Sequence, residues 1–250
     1  VLSIHFAFSM KLTCLDHHTL FFSEDYDDSW ECIEKSWRKD DGRYEYNPRK
    51  CNFYVHAPSR TDPSAAPVDG DALTILVPVP PLPMEMEMIR KEDNQNENSR
   101  ESVERAVADY EQQLIEQAKG AVMRRLGQAW QAYNAKNIEN GIDGSTNEGN
   151  ESVAAYTHKL LSSIAVEKVV TPSEWSDNYN LFRGSAFGLA HSLDQLSVLR
   201  PAKRHPKLRN IYRVGASTTP GNGVPLCMIG GRLAALEIGE VLKRQYEVGH

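Results

Sequence analysis

The sequence lacks most of the features that would assign it a class at once. No apolar run approaches the roughly 20 residues needed to cross a bilayer, so no membrane span is read from it, although peripheral attachment stays open. The four cysteines, Cys14, Cys32, Cys51 and Cys227, include no CxxC pair. That spacing fits neither a zinc ribbon nor a disulfide framework, and the expectation is reduced, buried thiols in an intracellular protein. There is no serine within G-x-S-x-G and no H-E-x-x-H, which removes the usual hydrolase nucleophile and zinc-peptidase signatures. Positive charge is not in excess either: the net charge is −6, with no dominant basic face, and this argues against nucleic acid as a partner. The one basic cluster, Arg200, Lys203, Arg204, Lys207, Arg209 and Arg213, reads as a solvated loop, with an anion or headgroup site as the alternative. The charged n-region and cleavage site of a signal peptide are also missing. "VLSIHFAFSMKL" instead reads as a strand in mid-sheet, so the chain is expected to begin inside a domain.

What is present is ordinary globular composition. The 250 residues are 40% hydrophobic and 25% charged, enough for one large domain or two small ones. Ser3 to Leu12, Thr19 to Ser23, "CNFYVHAP" and the continuous apolar run "DALTILVPVP" read as strands. "SEDYDDSWECIEKSW" places Trp30, Ile33 and Trp37 on one helical face, and "SRTDPSAAP" is a turn-rich connection. "EMEMIRKEDNQNENSRES" is charged, amide-rich and poor in large apolar residues. It is expected to be an exposed, mobile insertion near residues 85–100, with a second near 137–151.

Between those insertions, Val103, Val107, Tyr110, Leu114, Ala118, Val122, Leu126, Ala129 and Tyr133 keep a 3–4 spacing. That spacing predicts a long helix with one apolar stripe, leaving Glu104, Arg105, Asp109, Glu111, Lys119 and Arg125 for solvent. A shorter helix from Val153 to Ile164 and a strand at "VEKVV" follow. "TPSEWSDNY" then carries helix start signals in Thr171, Pro172 and Glu174. "NIYRVGA" reads as a strand, and Val224 onward as a closing helix with Leu226, Ile229, Leu233 and Leu236 as its apolar stripe. Alternating strands and helices favour an α/β or mixed α+β fold.

The segment "GASTTPGNGVPLCMIGGRLAAL" holds the clearest chemistry. A glycine-rich turn before a helix presents unpaired backbone N–H groups to an anion, where the macrodipole adds partial positive charge. Gly215, Gly221 and Gly223 let backbone approach a phosphate or flavin ring without an intervening Cβ. Ser217 and Thr218 add hydroxyls, and Pro225 suits the first helical turn. The spacing G-x5-G-x-G is neither a P-loop nor a Rossmann fingerprint, so on local physics a purely structural turn is an equal reading. His17 and His18 are adjacent, and in a strand they would point to opposite faces. No metal site is expected there. His191 reads as a satisfied structural histidine. Phe182, Phe187 and Leu189 fit core packing.

"NIYRVGASTTPGNGVPLCMIGG" resembles the C-terminal signature of the phytoene desaturase family, the bacterial-type and fungal carotenoid desaturases. The likeness runs through Asn210, Tyr212, Gly215, Ala216, Ser217, Thr218, Pro220, Gly221, Gly223, Val224 and Pro225. "LDHHTLFFSEDYDDSW", "FYVHAPSRTDPSAAP", "LTILVPV", "VVTPSEW" and "GSAFGLAHSLDQLSVLRP" extend the resemblance, in the same order, from about Leu15 to Leu242. It implies a Rossmann-like flavoprotein fold similar to the amine oxidases, with 1–208 as part of a substrate domain. Residues 209–250 would be the return segment of the FAD-binding domain.

By the same resemblance Gly215, Ala216, Ser217, Thr218, Pro220, Gly221, Gly223, Val224 and Pro225 would bind FAD. The substrate would be a hydrophobic polyene, phytoene or a related carotene, desaturated as hydride passes to flavin. Phe182, Phe187 and Leu189 would then fit the lining of a hydrocarbon tunnel as well as they fit core packing. Peripheral membrane association inside the cell and a possible homo-oligomer are implied as well. The sequence departs from the pattern twice. Thr219 stands where the family usually has histidine, and no strand–G-x-G-x-x-G–helix unit occurs in these 250 residues. The chain is therefore expected to be a C-terminal fragment, inactive alone. The alternatives are a non-catalytic truncated remnant or paralogue, or a saturase or isomerase of the same superfamily. No catalytic residue is assigned.

Overall fold

The computed structural model describes residues 1–29, 50–91, 97–140, 151–189, 193–195, 197–208 and 210–248. The helix expected in "SEDYDDSWECIEKSW" is present at 26–29, whereas Trp30, Trp37 and His191 lie outside the described residues. The chain divides into two compact units, Val1–Gly184 and Ser185–His250. Within the second unit, Leu189, Arg200 and Pro201 are tied by hydrogen bonds to the 215–219 turn.

The first unit is built on a five-stranded sheet, β1 (Leu2–Phe8), β2 (His18–Phe21), β3 (Phe53–His56), β4 (Asp71–Val77) and β5 (Ile164–Val170). Its order is β2-β3-β4-β1-β5, and every pair is antiparallel. This selects the α+β form of the expected class. Leu2, Ile4, Phe6 and Phe8 of β1 meet Leu73, Ile75 and Val77 of β4 in one buried cluster. Each such side chain stabilises the fold by about 1.5–3 kcal/mol.

Among the described residues this unit also carries the helices α1 (Met84–Lys91), α2 (Glu97–Glu139), α3 (Val153–Ser162) and α4 (Pro172–Tyr179). The predicted stripe of α2 is buried from Val107 through Tyr110, Leu114, Ala118, Val122 and Leu126, while Tyr133 at its end is exposed. Trp130 meets Tyr156 of α3 edge-on, with ring centroids 4.9 Å apart. Two residues expected to face solvent do not. Glu111 accepts hydrogen bonds from the N–H and hydroxyl of Ser173, both at 2.7 Å. Arg125 donates to the carbonyls of Cys51 and Phe22, its guanidinium 4.8 Å from the Phe53 ring centroid. The capping box at Thr171 and Glu174 is formed as predicted.

Residues 84–91, expected within an exposed insertion, are helical; Met84, Glu85, Met88 and Lys91 are exposed, whereas Glu87 is only 2% exposed. Methionine, glutamate, arginine and lysine are strong helix formers, and Ser176 of α4 donates to the Glu87 carboxylate at 2.8 Å. Burial pushes that carboxyl up, but Ser176 and Lys91 outweigh it and hold it below the usual range. Cys14 and Cys227 are free thiols, whereas Cys51 is disulfide-bonded. The expectation of four reduced thiols fails there, and with it the cysteine argument for an intracellular setting.

The second unit has less regular structure. "NIYRVGA" is not a strand: Tyr212 makes a single bridge to Arg204, because Pro201 and Pro206 leave too few donors to extend a ladder. Its main element is α5 (Val224–Val248). The apolar stripe read for this helix is not its buried face, since Leu226, Ile229, Leu233 and Leu236 are all exposed. Gly230 and Ala234 are buried instead. A Cβ at Gly230 would meet the Pro220 ring at 3.2 Å, so that glycine permits close packing. Among the described residues, no helix is long and apolar enough to cross a membrane.

Candidate functional site

The glycine-rich turn and the start of α5 form the candidate site. Gly215, Gly221 and Gly223 have φ of 116°, 138° and 106°, backbone that side chains of L residues rarely adopt. A Cβ at Gly215 or Gly223 would meet nothing within 4 Å, so these glycines serve conformation and leave the turn's outer face open. The Thr218 N–H and hydroxyl both bond to the Gly215 carbonyl, at 3.1 and 2.9 Å, closing the first half of the turn. Asn222 Oδ1 accepts from the Gly223 N–H at 2.6 Å, and Cys227 N–H to Gly223 carbonyl is the first helical bond. The N–H groups of Val224 and Leu226 precede any intrahelical acceptor and point out of the helix end.

Arg200 holds this turn, and sequence reasoning placed it in a solvated loop. It is 3% exposed, and its guanidinium donates to the Ala216 carbonyl at 2.7 Å and the Leu189 carbonyl at 3.1 Å. The Thr219 hydroxyl and N–H reach back to the carbonyls of Arg200 and Pro201. Ser217 packs into the space left by Gly188, where a Cβ would lie 2.4 Å from its hydroxyl oxygen. No local pattern in the sequence marks Arg200 as buried. The "SVLRP" context looks like any loop, and the guanidinium's acceptors are backbone carbonyls that every residue carries.

Beside the turn lies an open hollow of about 580 Å³ lined by Phe187, Asn222, Gly223, Val224, Cys227 and Met228. Its side chains are mostly apolar and none is charged. Val224 and Pro225 border it at the helix start, and Ala216, Pro220 and Gly221 form the supported inner side of the turn. Phe182 and Phe187 are both exposed, so core packing does not account for them. A backbone N–H cradle beside an apolar hollow can take a phosphate on one side and a flat ring on the other. The residues present thus fit part of a dinucleotide site.

In the other unit, His17, His18 and His56 come together despite the strand alternation expected to separate the first two. His17 precedes β2 rather than lying in it, so the alternation does not apply. Burial, then the neighbouring His17 and His18, holds His56 below the usual histidine range.

Curated relatives decide the ancestry. A phytoene desaturase of Fusarium fujikuroi is 30% identical over 237 residues, covering 95% of this chain and 35% of the relative. One from Neurospora crassa is 29% identical over 241 residues, covering 96% and 31%. A zeta-carotene-forming phytoene desaturase of Myxococcus xanthus is 30% identical over 219 residues, covering 87% and 31%. This chain is homologous to the carotenoid desaturases. It spans about a third of the length of the curated relatives it matches. No protein-family model matches it.

Proposed function

We infer that this chain is the part of an FAD-dependent carotenoid desaturase that carries some of the substrate domain and the return segment of a Rossmann-like flavin domain. The observation that carries the reading is the turn from Gly215 to Gly223. Three positive-φ glycines open onto a helix N-terminus beside an uncharged, largely apolar hollow. The homology to desaturases over nearly the whole chain supports it. A strand–G-x-G-x-x-G–helix unit, absent from these 250 residues, supplies the other half of the cofactor site.

When bound, FAD supplies the hydride acceptor for introducing a double bond into phytoene or a related carotene. The chain's own residues bind and position. Gly221 and Gly223 let backbone approach the pyrophosphate, and the first N–H groups of α5 stabilise its negative charge. Phe187, Val224 and Met228 provide apolar wall that excludes water, and Arg200 holds the turn in place. No side chain needs to act as nucleophile. The cradle is only part of a cofactor site, so the 250 residues alone are expected to be inactive. A bilayer-dissolved polyene calls for peripheral attachment to an intracellular membrane, and homo-oligomer formation remains part of the proposal.

The test is Gly223→Val in a form that retains flavin. Flavin content should fall far more than expression, because φ of 106° disfavours a β-branched residue and the new side chain occupies the open face. Unchanged flavin occupancy would make the turn a structural element only.

A further inference from the structure

We propose that His17, His18 and His56 form a binding site for a divalent late transition-metal ion such as zinc. It is independent of the flavin site. β2 and β3 pair so that His18 lies directly opposite His56, and the Ala57 N–H to His17 carbonyl bond carries the pairing one residue further. The three rings gather on this edge strand pair. His17 meets His18 and His56 edge-on at centroid distances of 4.2 and 4.8 Å, and His18 stacks on His56 at 5.4 Å. One nitrogen from each lies within 4.8 Å of the others, and the two Nε2 atoms of His17 and His56 are 3.2 Å apart.

Ligands around a tetrahedral zinc ion at 2.0–2.1 Å stand about 3.3 Å from one another. The His17–His56 pair already has that spacing, so only the exposed His18 ring must turn inward. The outer nitrogens are already engaged. The Thr61 hydroxyl lies 2.8 Å from His17 Nδ1, and the Tyr54 phenol lies 2.6 Å from His18 Nδ1. Thr61 also directs its hydroxyl toward the Pro58 carbonyl, so its oxygen is free to accept the His17 Nδ1 proton. That leaves the lone pair on Nε2, facing the cluster. Such hydroxyl partners orient ligating imidazoles. Three neutral imidazoles with an open side match zinc, copper(II) or nickel(II) rather than magnesium or calcium.

The experiment is a zinc titration of the full chain against a chromophoric chelator, with cobalt(II) absorption as a geometric readout. One ion per chain is expected, with a visible cobalt band of the tetrahedral kind. His56→Ala and His18→Ala should each weaken binding by on the order of a hundredfold or more, and Thr61→Val by about tenfold. His158→Ala, on an exposed face of α3, should change nothing. The exposed His18 variant keeps the test valid if His56→Ala misfolds. No stoichiometric zinc binding, or binding insensitive to His18→Ala, would overturn the proposal.

Discussion

Arg200→Ala is the sharpest test of how the glycine turn is held. Among the described residues the guanidinium makes charge-assisted hydrogen bonds to Ala216 and Leu189, from a position almost sealed from water. Each is worth about 1.5–3 kcal/mol, so truncation should weaken the local structure by about 3 kcal/mol once the freed carbonyls are partly hydrated. That corresponds to an increase of on the order of a hundredfold in local opening. Tryptophan fluorescence would miss it, since the sequence has no tryptophan between Ser185 and His250. Amide hydrogen exchange reads it directly. Thr218 and Thr219, whose N–H groups bond to Gly215 and Pro201, should exchange about a hundred times faster. Amides of β1 and β4 should be unaffected. Arg200→Lys should fall between, because an ammonium cannot span both carbonyls as a planar fork does. Unchanged protection at Thr218 in Arg200→Ala would refute the clamp and show that the turn holds itself.

The remaining predictions concern the first unit. Asp71 is fully buried and takes both Arg60 guanidinium nitrogens, at 2.9 and 2.7 Å, with the Ser59 hydroxyl and the Leu12 N–H. Asp71→Asn should cost about 3 kcal/mol in urea unfolding followed by tryptophan fluorescence, because it leaves Arg60 facing a neutral amide. Burial raises the Asp71 carboxyl, but its hydrogen bonds win and hold it below the usual range. Its contribution is therefore complete above the unfolded value of about 4 and lost as pH falls through the lower folded value. The wild type should lose this stability in acid and the variant should not. In α2, Gly120→Ala meets open space and should stabilise by about 1 kcal/mol. Gly127→Ala would set a Cβ 2.7 Å from the Thr157 hydroxyl and 3.1 Å from its backbone nitrogen. Overpacking costs about 1–3 kcal/mol, so its thermal midpoint should drop despite the same propensity gain.

Much of the first unit was legible because its signals are local. The 3–4 spacing from Val103 to Leu126 fixes a buried helical face, and Thr171 with Glu174 satisfies a helix start without outside help. What escaped depends on distant partners. Glu87 looked solvent-bound until Ser176 met it, and Arg125 until the carbonyls of Cys51 and Phe22 did. In α5 the large apolar residues pointed to one buried face, yet Gly230 and Ala234 are what packs. The turn glycines were readable as conformational devices, whereas Arg200 and the His56 partnership were not. A guanidinium binding backbone carbonyls leaves no pattern, and His17 escapes the alternation rule by lying just before β2.

The central claim is that Gly215–Pro225 supplies half of a flavin site. The most direct measurement is an FAD titration, read by flavin fluorescence and retention on gel filtration. It would compare the 250-residue chain alone with the chain joined to the part of the Fusarium relative it does not match. The account predicts weak, easily lost flavin for the chain alone and stoichiometric flavin for the joined protein, abolished by Gly223→Val. Tight stoichiometric binding by the chain alone, or none in a folded joined protein, would contradict it.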